Sequence, residues 1–157
     1  MSDPEKAHEV VVRAATGSDN ATWRALFREY AHVGGLALSD EQIERVWSWV
    51  TTDSGQTRCL LAFQGDAPVG LIHFRQFERP ITASTGLWID DLYVQPSSRG
   101  RGIAGELIDT VRAEARAGGH DVVRWTTRES NVGARKLYDR IATRAPVALY
   151  NTEPLPR

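Results

Sequence analysis

A run of apolar and β-branched residues from Leu87 to Val94 leads through Gln95-Pro96-Ser97-Ser98 into Arg99-Gly100-Arg101-Gly102-Ile103-Ala104-Gly105, after which the chain takes up a helical apolar period. The chemistry that suits such a segment is the binding of phosphate. Main-chain N–H groups at a helix start lack intrahelical acceptors, the helix dipole favours negative charge there, and glycines let an anion approach the backbone closely. Arg99 and Arg101 add formal charge and several donors. Residues Arg99 to Gly105 therefore form a candidate cradle for a diphosphate, set against the plainer alternative of an ordinary strand-to-helix turn with solvated arginines. Two other phosphate motifs fit less well. A dinucleotide fingerprint follows an early strand, whereas Gly100-Arg101-Gly102-Ile103-Ala104-Gly105 comes late, and the Gly-Lys-Ser/Thr of a P-loop is missing. Just upstream, Asp90 and Asp91 stand side by side on the expected strand, where adjacent side chains point to opposite faces.

Periodicity defines the elements that must hold this segment. Glu9 to Ala14 reads as a short buried strand, and Thr16-Gly17-Ser18-Asp19 as a turn with N-cap candidates. Trp23, Leu26, Phe27 and Tyr30 recur at helical spacing until Gly34-Gly35. Ser39-Asp40-Glu41-Gln42 has the form of a capping box, and Ile43, Val46, Trp47 and Val50 form the stripe of a second helix. Strands are then expected at Arg58 to Phe63, Val69 to Phe77 and Gly86 to Val94, with a hairpin turn at Gln64-Gly65-Asp66 and Pro80 in a loop. Ile103, Leu107, Val111 and Ala115 mark a third helix ending near Gly118-Gly119. A strand from Val122 to Thr126, a helix from about Asn131 to Arg140 and a last strand around Val147 to Tyr150 complete the order. This order predicts an α/β fold of a single domain over residues 1–157, with 1–8 loose, in which helices cover both faces of a mixed, mostly antiparallel, twisted sheet.

Composition narrows the partners. The chain of 157 residues is 41% hydrophobic and 25% charged, enough for a proper core, and its formal net charge is -1 at pH 7. No surplus of basic residues speaks for nucleic acid or for an anionic membrane, so any anion has to be met locally. The single cysteine, Cys59, lies in the apolar run Cys59-Leu60-Leu61-Ala62-Phe63 and reads as a small buried side chain. The polar start Met1-Ser2-Asp3-Pro4-Glu5-Lys6 has no signal-peptide character, and a cytoplasmic address is expected.

Arg99-x-x-Gly102-x-Ala104, after a strand ending at Val94, resembles the Arg/Gln-x-x-Gly-x-Gly/Ala acetyl-CoA signature of the GNAT superfamily of N-acetyltransferases. Asn131-Val132-Gly133-Ala134-Arg135-Lys136-Leu137-Tyr138 resembles the Asn-x-x-Ala-x-x-Leu-Tyr motif that follows it in that family, and the order of elements matches over nearly the whole chain. After Tyr138 the chain departs from the family's usual glycine and aromatic, reading Asp139-Arg140-Ile141-Ala142.

The resemblance implies acetyl-CoA as co-substrate and no metal. It places the pantetheine arm on the backbone of Leu92, Tyr93 and Val94, and the pyrophosphate on Arg99, Gly100, Arg101, Gly102, Ile103, Ala104 and Gly105. Asn131, with Ala134 and Tyr138 on the same helix, would line the cofactor from the opposite wall, although Asn131 also suits an N-cap. Tyr138 would serve as general acid to the departing thiolate, or else is a core tyrosine. An amine of pKa near ~10.4 costs about 4–5 kcal/mol to present neutral at pH 7, so a base is needed. The Ile-Asp-Asp-Leu-Tyr-Val stretch resembles that of diamine and polyamine acetyltransferases, in which such a pair binds or deprotonates a cationic acceptor. Asp90 and Asp91 are thus candidate base and substrate residues, with a carboxylate matched to an arginine as the alternative. Trp23, Phe27, Tyr30, Trp47 and Trp49 lie where the family sets acceptor specificity, though most suit the core. Glu29 is a further candidate substrate carboxylate, or a solvated helix face.

The expected reaction is transfer of acetyl to a small primary amine such as a diamine, polyamine or amino acid, in a chain that is a homodimer in many relatives. Alternatives are a protein N-terminus, a lysine or an aminoglycoside as acceptor, or a non-catalytic acyl-CoA-binding module.

Overall fold

The computed structural model describes residues 9–52 and 55–157. The expected loose segment 1–8 lies outside the described residues. The chain divides into a larger unit ending at Thr126 and a smaller one from Thr127 to Arg157.

The larger unit holds a five-stranded sheet in sequence order: β1 (Val10–Ala14), β2 (Arg58–Gln64), β3 (Ala67–Arg79), β4 (Ser84–Val94) and β5 (Val123–Arg124). The first four strands pair antiparallel and β5 joins β4 in parallel. The β2–β3 hairpin turns on Gly65-Asp66, with Gly65 at φ +60, as the sequence predicts. Helices α1 (Asn20–Val33) and α2 (Asp40–Thr51) cover one face, and α3 (Ile103–Ala117) covers the other.

Local signals explain these elements. Ser39 and Gln42 form the reciprocal capping box, Gln42 N–H donating to Ser39 Oγ at 3.2 Å and Ser39 N–H to Gln42 Oε1 at 2.9 Å. Ahead of α1, the Asp19 carboxylate accepts from Thr16 N–H at 2.7 Å and from both terminal nitrogens of Arg13 at 2.8 and 2.9 Å. Trp23, Leu26, Phe27 and Ile43 pack against Cys59, Leu61, Leu71 and Tyr93, and burial raises the Cys59 thiol far above its ordinary value. On the opposite face α3 buries Ile103, Leu107, Ile108, Val111 and Ala115, each large aliphatic contributing roughly 1.5–3 kcal/mol. Among the described residues no helix is long and apolar enough to cross a membrane.

Three expectations need correction. The strand expected over 122–126 is only Val123–Arg124, in register with Leu87 and Trp88; β4 bonds the chain at Asp121 and Val122 ahead of it, and no ladder pairing continues beyond Arg124. The last strand around Val147 to Tyr150 does not form: Val147, Leu149 and Tyr150 are exposed and the segment after α4 (Val132–Ile141) has no ladder partner among the described residues. Alternating apolar side chains suit a strand, but a strand also needs a neighbour for its backbone. Finally, His73 pairs with Asp91 and Phe74 with Ile89, which leaves Asp90 as the extra residue of a β-bulge, so simple alternation fails at the acidic pair.

Candidate active site

β4 delivers the acidic pair and the phosphate turn from one continuous strand. Past Trp88 its outer edge has no strand partner among the described residues, so no ladder uses the outward main-chain groups along Leu92, Tyr93 and Val94, of which the Val94 carbonyl accepts from Arg99. Exposed donors and acceptors on such an edge can pair with an extended amide chain as with another strand.

The turn that follows fits a phosphate ligand. Gly100 and Gly102 adopt φ +77 and +79, a region that costs other L-residues about 1–2 kcal/mol. A Cβ built on either glycine meets nothing within 4 Å, so both face open space. Gly102 is the N-cap of α3 and supplies no side-chain acceptor, leaving the first N–H groups at Ile103, Ala104 and Gly105 uncapped by any side chain. Arg99 donates from Nε to Val94 O at 3.0 Å, while Arg101 donates from Nη1 to Gln64 Oε1 at 3.2 Å. The residues Arg99 to Gly105 therefore combine open backbone donors, two arginines and a positive helix end.

At the bulge the two carboxylates part company. Asp90 accepts from Arg75 Nε at 3.0 Å and Nη2 at 3.4 Å, so the alternative of an arginine-matched carboxylate describes it well. Asp91 Oδ2 lies 3.0 Å from Nδ1 of His73, a side chain 1% exposed in the middle of β3. His73 Nε2 in turn accepts from the indole N–H of Trp23 at 2.9 Å. The sequence reading missed His73, whose one signal was a titratable residue inside the apolar run Gly70-Leu71-Ile72-His73-Phe74.

Glu29 on α1 accepts from the Tyr93 hydroxyl at 3.2 Å and from Gln95 Nε2 at 3.1 Å, which ties its carboxylate to the end of β4. Burial, and then this carboxylate, raise the Tyr93 phenol. Of the helix aromatics, Trp23 and Phe27 are buried, Tyr30 and Trp47 pack on the same cluster, and Trp49 is exposed.

In the smaller unit, Asn131 acts as N-cap of α4, its Oδ1 accepting from Ala134 N–H at 3.5 Å and its Nδ2 donating to Thr127 Oγ1 at 3.2 Å. Tyr138 lies half-buried one turn beyond Ala134, and burial raises its phenol above the ordinary value, which keeps the proton on the oxygen at neutral pH.

Comparison with known proteins supplies the remaining context. Residues 20–142 match the model of the acetyltransferase (GNAT) family. The chain is 27% identical over 153 residues, 94% of either sequence, to the D-amino-acid N-acetyltransferase HPA3 of Saccharomyces cerevisiae. Its fold resembles a ribosomal-protein-alanine N-acetyltransferase of Brucella melitensis (TM-score 0.76, 23% identity, 92% of this chain and 99% of that one). It also resembles AAC(6')-Iy in complex with a CoA-containing bisubstrate analogue (TM-score 0.81, 15% identity, 94% and 99%). The chain thus belongs to the acetyltransferase (GNAT) family and is an acetyl-CoA-dependent acyltransferase.

Proposed function

We propose that the protein transfers acetyl from acetyl-CoA to the primary amine of a small molecule, with an amino acid ahead of a diamine or polyamine as acceptor. The observation that carries the acceptor is Asp91: a partly exposed carboxylate at the bulge of β4, one oxygen held by His73, upstream of the phosphate turn on the same strand. The preference for an amino acid is supported by the D-amino-acid acetyltransferase that the chain resembles over almost its full length.

In this reading the turn from Arg99 to Gly105 grips the diphosphate and the β4 edge at Leu92, Tyr93 and Val94, which no strand covers, aligns the pantetheine arm. When bound, acetyl-CoA supplies a thioester carbonyl open to nucleophilic attack. Asp91 attracts the ammonium form of the acceptor and relays its proton, directly or through water, towards solvent; neutralising an amine of pKa ~10.4 costs about 4–5 kcal/mol at pH 7. The nitrogen then forms its C–N bond as the C–S bond breaks. Tyr138, kept protonated by burial, donates to the departing sulfur; the second proton shed by the nitrogen as the amide forms passes through water to restore the Tyr138 phenol, and the proton taken by Asp91 returns to solvent. Asp90 is matched by Arg75, and Glu29 is bound to Tyr93 and Gln95, so neither serves as base; of the two, Glu29 carries the unmatched negative charge.

A thiol-release assay with D- and L-amino acids, diamines, polyamines, an aminoglycoside and an N-terminal peptide tests the proposal. Turnover is expected with the small amines, highest with amino acids. Turnover confined to the peptide, or none with any amine, would overturn it.

A further inference from the structure

Trp23, His73 and Asp91 form a chain whose proton positions are dictated by its first member. An indole nitrogen is a donor only, so the 2.9 Å contact from Trp23 Nε1 requires a bare lone pair on His73 Nε2. The proton of the neutral ring must then sit on Nδ1, where it donates to Asp91 Oδ2 at 3.0 Å. A doubly protonated ring would set two N–H groups against each other in the core. Both ring nitrogens are therefore satisfied in one arrangement. The ring is also gripped sideways: Phe27 meets it edge-on at 5.2 Å between centroids, and Trp23 lies 6.0 Å away.

Two consequences reach Asp91. Its Oδ2 is fixed, while Oδ1 accepts no hydrogen bond among the described residues and its side chain is 29% exposed, so one oxygen is presented in a defined direction. In addition, because the partner ring is neutral, the carboxylate is oriented by a hydrogen bond rather than cancelled by an imidazolium. Asp90, beside it, is by contrast paired with a full positive charge on Arg75. The two acidic residues thus differ in what they can offer a cationic acceptor.

We infer that His73, locked by Trp23 as the Nδ1–H tautomer, is a positioning residue that aims Asp91 Oδ1 at the acceptor amine and preserves its negative charge for it. The inference rests on the proposed role of Asp91. It also accounts for a fully polar imidazole at a strand position where an apolar side chain would fill the same core.

The test has a spectroscopic arm and a kinetic arm. Long-range proton–nitrogen spectra of the histidine-labelled full chain without substrate, with the His73→Asn protein used for assignment, should show His73 carrying its proton on Nδ1 with Nε2 bare. A proton on Nε2 overturns the inference. In Trp23→Phe the lock is removed and the Nε2–H form should become populated; an unchanged spectrum shows that Trp23 does not set the tautomer. Kinetically, His73→Asn keeps an N–H donor beside Asp91, whereas His73→Leu removes it, and both leave the indole without its acceptor. His73→Leu is expected to lose about 10-fold or more in kcat relative to His73→Asn, a fraction of the 10²–10⁴ that proton transfer contributes, at similar Tm and acetyl-CoA Kd. Equal kcat in the two variants means a merely structural histidine. Asp91→Asn separates the layers: if it keeps wild-type kcat, the role of Asp91 itself falls; if it is inactive while His73→Leu matches His73→Asn, only the positioning role falls.

Discussion

Arg99 reaches back five residues to bond the carbonyl of Val94, Nε to O at 3.0 Å, so the arginine of the phosphate turn is tethered to the last residue of the strand that carries the acidic pair. The tether uses one of its donors and leaves the two terminal nitrogens for an anion, which couples the position of the phosphates to the position of the pantetheine edge. A lysine cannot do both, since its ammonium is a single point of charge. Arg99→Ala and Arg99→Lys should each raise the Kd for coenzyme A, the alanine variant by about 10-fold or more, in line with the roughly 1.5–3 kcal/mol of a charge-assisted hydrogen bond. Calorimetry with coenzyme A measures this; an unchanged Kd removes Arg99 from the site.

Gly102 should separate folding from binding. Its φ of +79 makes any side chain cost about 1–2 kcal/mol, but a Cβ there meets no atom of the protein within 4 Å. Gly102→Val is therefore expected to fold with a modestly lowered Tm and to lose measurable coenzyme A binding, because the side chain stands where the phosphates would. A normal dissociation constant in the folded variant would show that the turn is not a cradle.

For Tyr138→Phe the expected signature is kinetic. Only the hydroxyl is removed from a half-buried ring, so Kd for acetyl-CoA should hold while kcat falls roughly 10- to 100-fold, the lower range for a general acid. Stopped thiol-release traces at saturating co-substrate read this directly, and full turnover in the variant would end the general-acid assignment.

Acid stability should reveal the Asp19 knot. The Arg13 guanidinium above all, and then Thr16, hold this carboxyl far below the usual range, despite the burial that opposes it. A depressed folded-state pKa contributes stability that is complete above the unfolded carboxyl value near ~3.9 and is lost as pH falls below it. Asp19→Asn should thus lower Tm at pH 7, with about 1–3 kcal/mol lost and roughly 2–4 °C per kcal/mol. The gap from wild type should shrink as pH falls below about 4, where the Asp19 carboxyl of the unfolded chain takes up a proton while the native one stays ionised. A gap that persists unchanged at low pH would place the effect in packing instead.

Much of this protein is written locally. The capping box at Ser39, the stripes of α1, α2 and α3, the Gly65 turn and the two positive-φ glycines are decided by residues within a few positions of one another, and the sequence determines them. The phosphate turn is legible for the same reason: a helix start and its glycines are contiguous. What depends on partners distant in the chain had to await the tertiary structure. Alternation along β4 says that Asp90 and Asp91 oppose each other, yet the register with β3 inserts a bulge and hands one to Arg75 and the other to His73. Val147 to Tyr150 has the pattern of a strand without a ladder to join. His73 itself, 50 residues from the indole that sets its proton and 18 from the carboxylate it holds, carries no local mark of its task, because a hydrogen-bond chain across helix and sheet exists only once those surfaces have packed.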